Sequence, residues 1–331
     1  MKVIITGGGG FLGSQLIQAL CRRPYLTFEP GIKKEITEIL AADILIPETV
    51  RSSAPDLVTF LEADVSDKSV IDALIKDEKD FVLFHLAAIV SGAGEKDFDL
   101  AMRVNLDGTR YLLEACRNTS TCPRVVFASS IAVYGGAYTP PVVSDTVKAL
   151  PQTTYGMTKL MGELMINDYS RKGFLDGRAL RLPTIFIRPG KPNAAASSFA
   201  SGVFREPLNG VDFHLPVSID QEVPLLGYRK VVDAFIKAME CDSKVLGDDR
   251  TLTLPSRRYV VKDMIQTLQA VAETKGIRLG KIIESPDPII IRIVEGWPTG
   301  TEGQRAEAIG MTADSGVEEV ILHYIEDFLS Y

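Results

Sequence analysis

The chain has 331 residues, with 36 Lys and Arg against 43 Asp and Glu, so its formal net charge is −7. With 46% hydrophobic and 24% charged residues, the composition is typical of a soluble globular protein and excludes a disordered chain. The acidic balance, without any Lys/Arg run, disfavours a nucleic-acid partner. The length suits one large domain or two smaller ones.

Cysteine and histidine usage favours a reducing compartment. The four Cys are scattered without a C-x-x-C pair, and the three His are isolated, so we expect no metal site. The N-terminal apolar run is too short and too rich in glycine for a signal peptide. The apolar stretch at residues 289–293 is interrupted by Arg292 and is far shorter than the about 20 residues of a membrane span. These features predict a cytoplasmic protein with no membrane partner.

Strand-like and helix-like segments alternate through the first half of the chain. Apolar, β-branched runs predict strands at residues 2–6, 35–42, 58–61, 81–86, 124–128 and 178–187, the last interrupted by Pro183. Apolar residues at helical spacing predict helices at residues 13–22, 69–75, 104–117 and 155–169. We expect Asp67 or Ser66 to cap the second helix, residues 23–34 to form an inserted loop, and Met161, Leu164 and Met165 to be core. The alternation predicts an α/β fold with a Rossmann-type, doubly wound parallel sheet.

The alternation breaks down after Arg188. Prolines recur at positions 207, 216, 224 and 255, and helical spacing returns at residues 230–240, 260–274 and 316–329. We therefore predict a Rossmann domain over residues 1–187 and a smaller, irregular C-terminal lobe over residues 188–331. The lobe is expected to bind mainly substrate, while some of its segments return to the sheet.

A glycine-rich loop follows the first strand and opens the first helix. Residues 6–13 read TGGGGFLG and contain G-x-x-G-x-x-G at Gly7, Gly10 and Gly13. Such a loop allows the backbone to approach a pyrophosphate held at the helix N-terminus. The pattern predicts dinucleotide binding, and the alternative is a βα turn without a ligand.

An acidic residue after the second strand should hold the adenosine ribose. Asp43 is the candidate, although it lies 30 residues beyond Gly13. A carboxylate there repels the 2′-phosphate of NADP, which favours NAD; the alternative is a solvated strand-end acid. Asp64, after the third strand, is placed to meet the adenine, and a turn or cap role competes with this reading.

Tyr155 and Lys159 lie four residues apart on a predicted helix. Residues at this spacing share one helix face, and a nearby ammonium favours the phenolate, so the pair can act as a general base. Tyr155 is the only Tyr followed by Lys at this spacing, although such a pair also arises by chance. Ser130 follows the fifth predicted strand, where its hydroxyl can reach a reacting oxygen or simply satisfy local backbone. His85, within an apolar strand, is interpreted as a core residue.

These motifs together carry a family resemblance. TGGGGFLG, ADVSD, HLAA, VNLDGT, SSIAVYG and YGMTK occur in the order and spacing of the extended short-chain dehydrogenase/reductases, over about the first 190 residues. The resemblance implies a Rossmann domain, bound NAD and a catalytic set of Ser130, Tyr155 and Lys159. It also implies a homodimer formed through the helix bearing Tyr155 and the helix around Asn105. The implied cofactor-binding residues are Gly7, Gly10, Phe11, Leu12, Gly13, Asp43, Asp64, Val65, Leu86, Ala87, Ala88, Asn105, Ser129, Tyr155, Lys159 and Pro183.

Departures from the commonest members of the family narrow the expected reaction. Ser130 is followed by Ile131 and Ala132, whereas dehydratases have an acidic residue beside the catalytic hydroxyl. Thr184 stands where epimerases usually have Asn. Residues 85–92 and 181–210 resemble the D-erythronate dehydrogenase branch, which implies NAD-dependent oxidation of a four-carbon sugar acid at C2.

A small hydroxy acid requires a cationic clamp for its carboxylate, and Arg can pair with it bidentately. Arg188 and Arg205 are candidates, although a structural ion pair or a solvated position is an alternative for each. The candidate substrate-binding residues are Ser91, Ser130, Thr184, Arg188, Asn193, Ser197 and Arg205, with Ser198 as a further neutral donor. A nucleotide-sugar epimerase that retains its NAD is an alternative function. A non-catalytic NAD-sensing protein is another, although Tyr155 and Lys159 are both present.

Overall fold

The computed structural model describes residues 1–29, 31–191 and 195–329. The strands are β1 (Lys2–Thr6), β2 (Tyr25–Glu29), β3 (Ile32–Glu35), β4 (Glu38–Asp43), β5 (Val58–Glu62), β6 (Phe81–His85), β7 (Arg124–Ser130), β8 (Val142–Ser144), β9 (Asp176–Leu182), β10 (Thr184–Phe186), β11 (Phe213–Leu215), β12 (Glu222–Gly227), β13 (Thr251–Thr253), β14 (Arg257–Val260), β15 (Ile282–Glu284) and β16 (Gly300–Glu302). The α-helices are α1 (Phe11–Cys21), α2 (Glu48–Ser52), α3 (Lys68–Ile75), α4 (Ser91–Lys96), α5 (Phe98–Ala101), α6 (Gly108–Asn118), α7 (Thr154–Arg171), α8 (Phe199–Leu208), α9 (Tyr228–Glu240), α10 (Ser243–Leu246), α11 (Val261–Lys275), α12 (Pro288–Glu295), α13 (Gln304–Ala308) and α14 (Val317–Phe328). None of these helices is both long enough and apolar enough to cross a membrane.

The chain forms two compact units, and each combines several stretches of sequence. The first unit comprises Met1–Ser130, Thr153–Arg181 and Val232–Leu252. The second comprises Ile131–Gln152, Leu182–Val231 and Thr253–Tyr331. Because both units are discontinuous, no single residue divides them, and the functional division at residue 187 stays a prediction.

A seven-stranded sheet organises the first unit, in the order β13-β9-β7-β6-β1-β4-β5. The β6–β7, β1–β6, β1–β4 and β4–β5 pairs are parallel. Val3, Ile4 and Ile5 in the interior strand β1 are completely buried, as expected for a parallel sheet covered on both faces. The predicted α/β, Rossmann-type fold is confirmed. Asp67 caps α3, because its side chain accepts hydrogen bonds from the backbone N–H groups of Ser69 and Val70. Of the two predicted caps, Asp67 and Ser66, the structure therefore confirms Asp67.

Most of the described residues between 23 and 34 lie in two strands rather than in a loop, so that prediction is wrong. Strands β2 and β3 pair antiparallel across this segment, and the Lys33 ammonium lies 4.1 Å from the centre of the Tyr25 ring. The Thr27 N–H donates to the Glu240 carboxylate at 3.0 Å. Backbone pairing and these polar contacts hold a ribbon whose second strand, Ile-Lys-Lys-Glu, lacks the apolar alternation that identifies strands in sequence.

Two helical predictions also need correction. The helix expected over residues 104–117 begins instead as a π-helix, Met102–Asp107, before α6 continues. On α7, Met161 and Leu164 are 39% and 61% exposed, so they are not core residues, whereas Met165 packs partly buried against the core. Their exposure follows from the helix presenting Gly162, Glu163 and Ile166 to the interior.

The second unit has smaller sheets and its own core. Strands β10, β12 and β14 form one sheet, and β11–β15 and β8–β16 form two-stranded pairs. The core is made by aromatic and aliphatic side chains, among them Phe186, Phe204, Leu225, Met264 and Ile321. As the position of Pro183 predicts, β9 ends at Leu182 and β10 starts a different sheet, because proline cannot donate a ladder hydrogen bond.

Candidate active site

The glycine loop lies between β1 and α1, and packing within the protein requires glycine at every glycine position of the loop except Gly10, as Gly7 and Gly13 illustrate. Gly7 has a φ of +79°, and a Cβ there would lie 2.7 Å from the Ala87 nitrogen. A Cβ on Gly13 would lie 2.1 Å from the Gly7 carbonyl oxygen. These contacts bring the start of α1 against the loop and bring the segment after β6 against the end of β1.

Gly10 differs from these two glycines, because packing within the protein does not explain it. It precedes the first residue of α1, is exposed, and has an extended φ of −75°. A Cβ there would meet one neighbour, the Gly7 carbonyl oxygen, at 3.3 Å. The open space in front of a helix N-terminus fits the pyrophosphate of a dinucleotide, which needs close approach to backbone N–H groups. Phe11 and Leu12 form the first turn of this helix.

Asp43 ends β4 next to the glycine loop. Its carboxylate accepts the Gly9 N–H at 3.0 Å and the Leu45 N–H at 3.4 Å, so it is held at the edge of the sheet where β1 also ends. This position fits a ribose contact. The exposed Asp64 accepts both the N–H and the hydroxyl of Ser66, which is the turn role that competed with an adenine contact.

Hydrogen bonds from the Asn105 side chain hold the segment that follows β6. The Asn105 amide accepts the Ile89 N–H at 2.7 Å and donates to the Ile89 carbonyl at 3.0 Å. It also donates to the Thr158 hydroxyl on α7 at 3.3 Å. These contacts hold Leu86–Ala88 at the carboxyl edge of the sheet, and direct contact of Asn105 with a cofactor stays a prediction. Val65, after β5, is buried against Gly108.

Tyr155 and Lys159 lie on the first two turns of α7. The Lys159 ammonium lies 5.6 Å from the centre of the Tyr155 ring and 4.8 Å from that of Phe127. It donates a 2.7 Å hydrogen bond to the carbonyl of Ala128, two residues before Ser130 at the end of β7. This hydrogen bond links α7, which carries the predicted base, to β7, which carries the predicted catalytic serine, and both elements belong to the first unit.

Burial makes Lys159 unusually easy to deprotonate. The side chain is only 3% exposed, and this desolvation lowers the pKa of its ammonium to about 7, against the opposing attraction of Glu163. A lysine that titrates near neutrality can exchange protons with a neighbouring phenol. The pair is therefore suited to acid–base chemistry at physiological pH.

Sequence reasoning missed a buried ion pair behind this lysine. The Glu163 carboxylate accepts hydrogen bonds from Arg181 Nε at 2.9 Å and Arg181 Nη2 at 2.7 Å, and it also accepts the Ser129 hydroxyl. Glu163 lies one helical turn beyond Lys159 and two turns beyond Tyr155, which was the available signal for its position. Arg181 lies on β9, and only the strand order of the sheet brings this residue next to Glu163.

His85 is a core residue, as predicted. Both ring nitrogens are bonded, Nδ1 to the Thr6 hydroxyl at 2.6 Å and Nε2 to the Thr109 hydroxyl at 2.9 Å. Burial, with a smaller contribution from the charge of Lys159, lowers its pKa to about 3. The ring is therefore neutral at physiological pH and is occupied by structural hydrogen bonds.

The candidate substrate residues are divided between the units. Ser91 starts α4 in the first unit, whereas Thr184, Arg188, Ser197 and Arg205 belong to the second, as does Pro183. Asn193 lies outside the described residues. The Arg188 guanidinium is half-buried and donates to the Ser197 hydroxyl at 3.3 Å, while its backbone N–H donates to Ser201.

Arg205 has a different environment. Its side chain is 7% exposed, and its guanidinium pairs with Glu206 and donates to the Arg188 carbonyl at 2.9 Å. These contacts match the structural ion pair that was the alternative for this residue. Of the two arginines, Arg188 is the better candidate for holding a substrate carboxylate.

Comparison with known proteins gives a consistent picture. The sequence profile of the NAD dependent epimerase/dehydratase family matches residues 3–249. A D-erythronate dehydrogenase of Cupriavidus necator is 44% identical over 327 residues, which are 99% of this chain and 98% of that protein. One from Haemophilus influenzae is 40% identical over 330 residues, 98% of this chain and 99% of that protein. The crystal structure of a nucleoside-diphosphate-sugar epimerase from Agrobacterium tumefaciens has a TM-score of 0.88 at 39% identity, covering 99% of this chain and 94% of the other.

Proposed function

The chain belongs to the NAD dependent epimerase/dehydratase family and is an NAD-dependent oxidoreductase, and we propose that it oxidises D-erythronate at C2 to the 2-oxo acid. The observation that carries the proposal is the identity of 44% and 40%, over nearly the whole chain, to two proteins named D-erythronate dehydrogenase. The pair Tyr155 and Lys159 supplies the base that such an oxidation requires.

Oxidation of a secondary alcohol removes a hydride from carbon and a proton from oxygen. NAD, when bound, supplies the hydride acceptor. The Tyr155 phenolate takes the proton of the C2 hydroxyl, and the Lys159 ammonium stabilises that phenolate, since an unperturbed phenol has a pKa of about 10. Ser130 donates a hydrogen bond to the reacting oxygen. Ile131 and Ala132, which follow Ser130, provide no second acid or base, and this favours oxidation over dehydration.

The cofactor contacts are assigned by position. The N-terminus of α1 with Gly10 holds the pyrophosphate, Asp43 holds the adenosine ribose, and Lys159 also holds the nicotinamide ribose. Arg188 pairs with the carboxylate of the sugar acid, with Ser197 as a neutral donor beside it. The remaining candidates for cofactor or substrate contact are Asp64, Val65, Leu86, Ala87, Ala88, Ser91, Asn105, Ser129, Pro183, Thr184 and Asn193.

We further propose that the enzyme is a cytoplasmic homodimer. All four cysteines are free thiols, as suits a reducing compartment. Met161 and Leu164 on α7, together with Phe98 on α5, are exposed apolar side chains on helices that contact each other. Such a surface is typical of an interface with a second copy.

A second candidate is a nucleotide-sugar epimerase that retains its NAD. The specific observation in its favour is the 39% identity to the solved structure of the Agrobacterium tumefaciens protein named a nucleoside-diphosphate-sugar epimerase. Such an enzyme returns the hydride to its substrate, so that no net NADH accumulates.

The deciding experiment measures NADH formation with four- to six-carbon aldonic acids, and measures epimerisation with nucleotide sugars in parallel. We expect NADH from D-erythronate and none from nucleotide sugars. Tyr155→Phe should lower kcat/KM for erythronate by about 10²–10⁴-fold while leaving NAD affinity within a few-fold, because it removes only the base. Full activity in that variant would refute the mechanism, and nucleotide-sugar epimerisation without net NADH would select the second candidate.

A further inference from the structure

The buried ion pair between Glu163 and Arg181 contacts three elements of the candidate site. Glu163 lies on α7 with Tyr155 and Lys159, and Arg181 lies on β9. Ser129, which donates to the same carboxylate, precedes Ser130 on β7. The side chains of Glu163 and Arg181 are 3% and 11% exposed. The pair is therefore almost fully withdrawn from solvent, next to the lysine of the predicted base.

Stability alone is a weak reason to bury this pair. Removing two charges from water costs several kcal/mol per ion, and well-packed apolar residues often stabilise such a position equally well. The bidentate geometry and the third hydrogen bond from Ser129 satisfy the carboxylate, but they do not explain why charges are used here. The position of Glu163, one turn from Lys159 on the same helix face, provides an electrostatic reason.

Few charges compete with this pair near Lys159. Three groups on neighbouring elements are linked to Lys159 or to its helix near the site: His85 on β6, whose pKa responds to the Lys159 charge, Arg181 on β9, which pairs with Glu163, and Glu95 on α4. His85 is neutral, because burial lowers its pKa to about 3. Glu95 is exposed and accepts the Thr154 N–H at the start of α7, which is far more solvated. Glu163 is therefore the charge that acts directly on the Lys159 ammonium, and Arg181 acts through its pairing with Glu163.

We propose that Glu163 and Arg181 are positioning residues whose opposed charges set the pH at which the Tyr155–Lys159 pair loses its proton. The negative charge of Glu163 favours the protonated, positively charged state of that pair. The positive charge of Arg181, paired with that carboxylate, limits this effect. Their hydrogen bonds also hold α7 against the ends of β7 and β9. The inference rests on the proposed function only in taking Tyr155 and Lys159 as the base.

Three variants test the inference through the signs of their effects. Glu163→Gln keeps the size of the side chain and leaves the Arg181 charge unbalanced, so the pKa of the Tyr155–Lys159 pair should fall by about one unit or more. Arg181→Gln leaves the Glu163 charge unbalanced, so the same pKa should rise by a similar amount. The double variant restores neutrality, and its pKa should return close to the wild-type value. Asp233→Asn, which removes a charge from the surface pair with Lys237, is the matched control and should cause no shift.

Two measurements are made on each variant. The acid limb of the pH profile of kcat/KM for erythronate with NAD gives the pKa of the working base. Ultraviolet titration of the cofactor-free protein, as the difference between each variant and the same variant carrying Tyr155→Phe, gives the phenolate pKa without any turnover. If erythronate is not the substrate, the second measurement still decides the inference.

The signs decide the outcome. Opposite shifts in the single variants that cancel in the double variant support the proposal. Shifts of the same sign, no shift in a folded single variant, or a shift that persists in the double variant would overturn it and leave the ion pair a purely structural role. If one single variant does not fold, the other single variant and the double variant decide, since a shift followed by its cancellation is still required.

Discussion

The two faces of α7 reverse the usual distribution of side chains on a helix. The inward face buries Lys159 and Glu163, whereas the outward face exposes Met161 and Leu164. A helix at a protein surface normally buries its apolar residues and exposes its charges. In our proposal, this helix serves acid–base chemistry on its inward face and contact with a second copy on its outward face.

The largest expected effect concerns the buried charge itself. Lys159→Met should lower kcat/KM by about 10²–10⁴-fold, because the phenolate loses its stabilising ammonium. At pH 7 or below, the free energy of unfolding of this variant should not be lower than that of the wild-type protein. At these pH values the wild-type protein must bury a protonated lysine, which is unfavourable. Steady-state kinetics and urea unfolding measure the two effects, and a variant that loses stability together with activity would contradict the functional reading of the inward face.

The same variant has a predicted pH dependence. The pKa of Lys159 is lowered in the folded protein to about 7, from 10.5. Between these values the unfolded chain binds the extra proton, so the stability of the wild-type protein relative to Lys159→Met should rise as the pH increases from about 7 to 10.5. The total change should be on the order of a few kcal/mol. A stability difference that is constant over this range would show that Lys159 is not desolvated.

A smaller effect is expected from packing on the inward face. A Cβ on Gly162 would lie 2.6 Å from the ring of Phe127, which is fully buried. Gly162→Ala should therefore lower the free energy of unfolding by about 1–3 kcal/mol. Met161→Ala, one residue away on the exposed face, is the matched control. Equal effects in the two variants would show that the two faces do not differ in packing.

The smallest effect on stability is expected on the outward face. Replacing both Met161 and Leu164 by Gln should change the free energy of unfolding of the isolated chain by no more than about 0.5 kcal/mol, because both side chains are exposed. Light scattering should nevertheless show a shift from dimer to monomer. A double variant that remains dimeric would place the interface elsewhere.

Much of the fold could be predicted because its signals are local. The bounds of β1 were predicted to the residue, and the expected Rossmann sheet, NAD-dependent family and dehydrogenase activity are confirmed. Strands β2 and β3 were missed, because their pairing depends on the backbone and on contacts with Tyr25 and Glu240 rather than on an apolar pattern. The π-helix at Met102–Asp107 was also missed, since one extra residue in a turn leaves no signal in side-chain periodicity.

The sequence by itself predicted the chemistry of the candidate site and determined where its residues lie along the chain, because a glycine loop and a Tyr–Lys pair one helical turn apart are local patterns. It could not distinguish Arg188 from Arg205, which look alike in isolation. Only the tertiary structure decided that the Arg205 guanidinium is occupied by Glu206 and the Arg188 carbonyl. It alone also brought Arg181 to Glu163, because the partners of a buried charge depend on which strands the sheet places beside the helix.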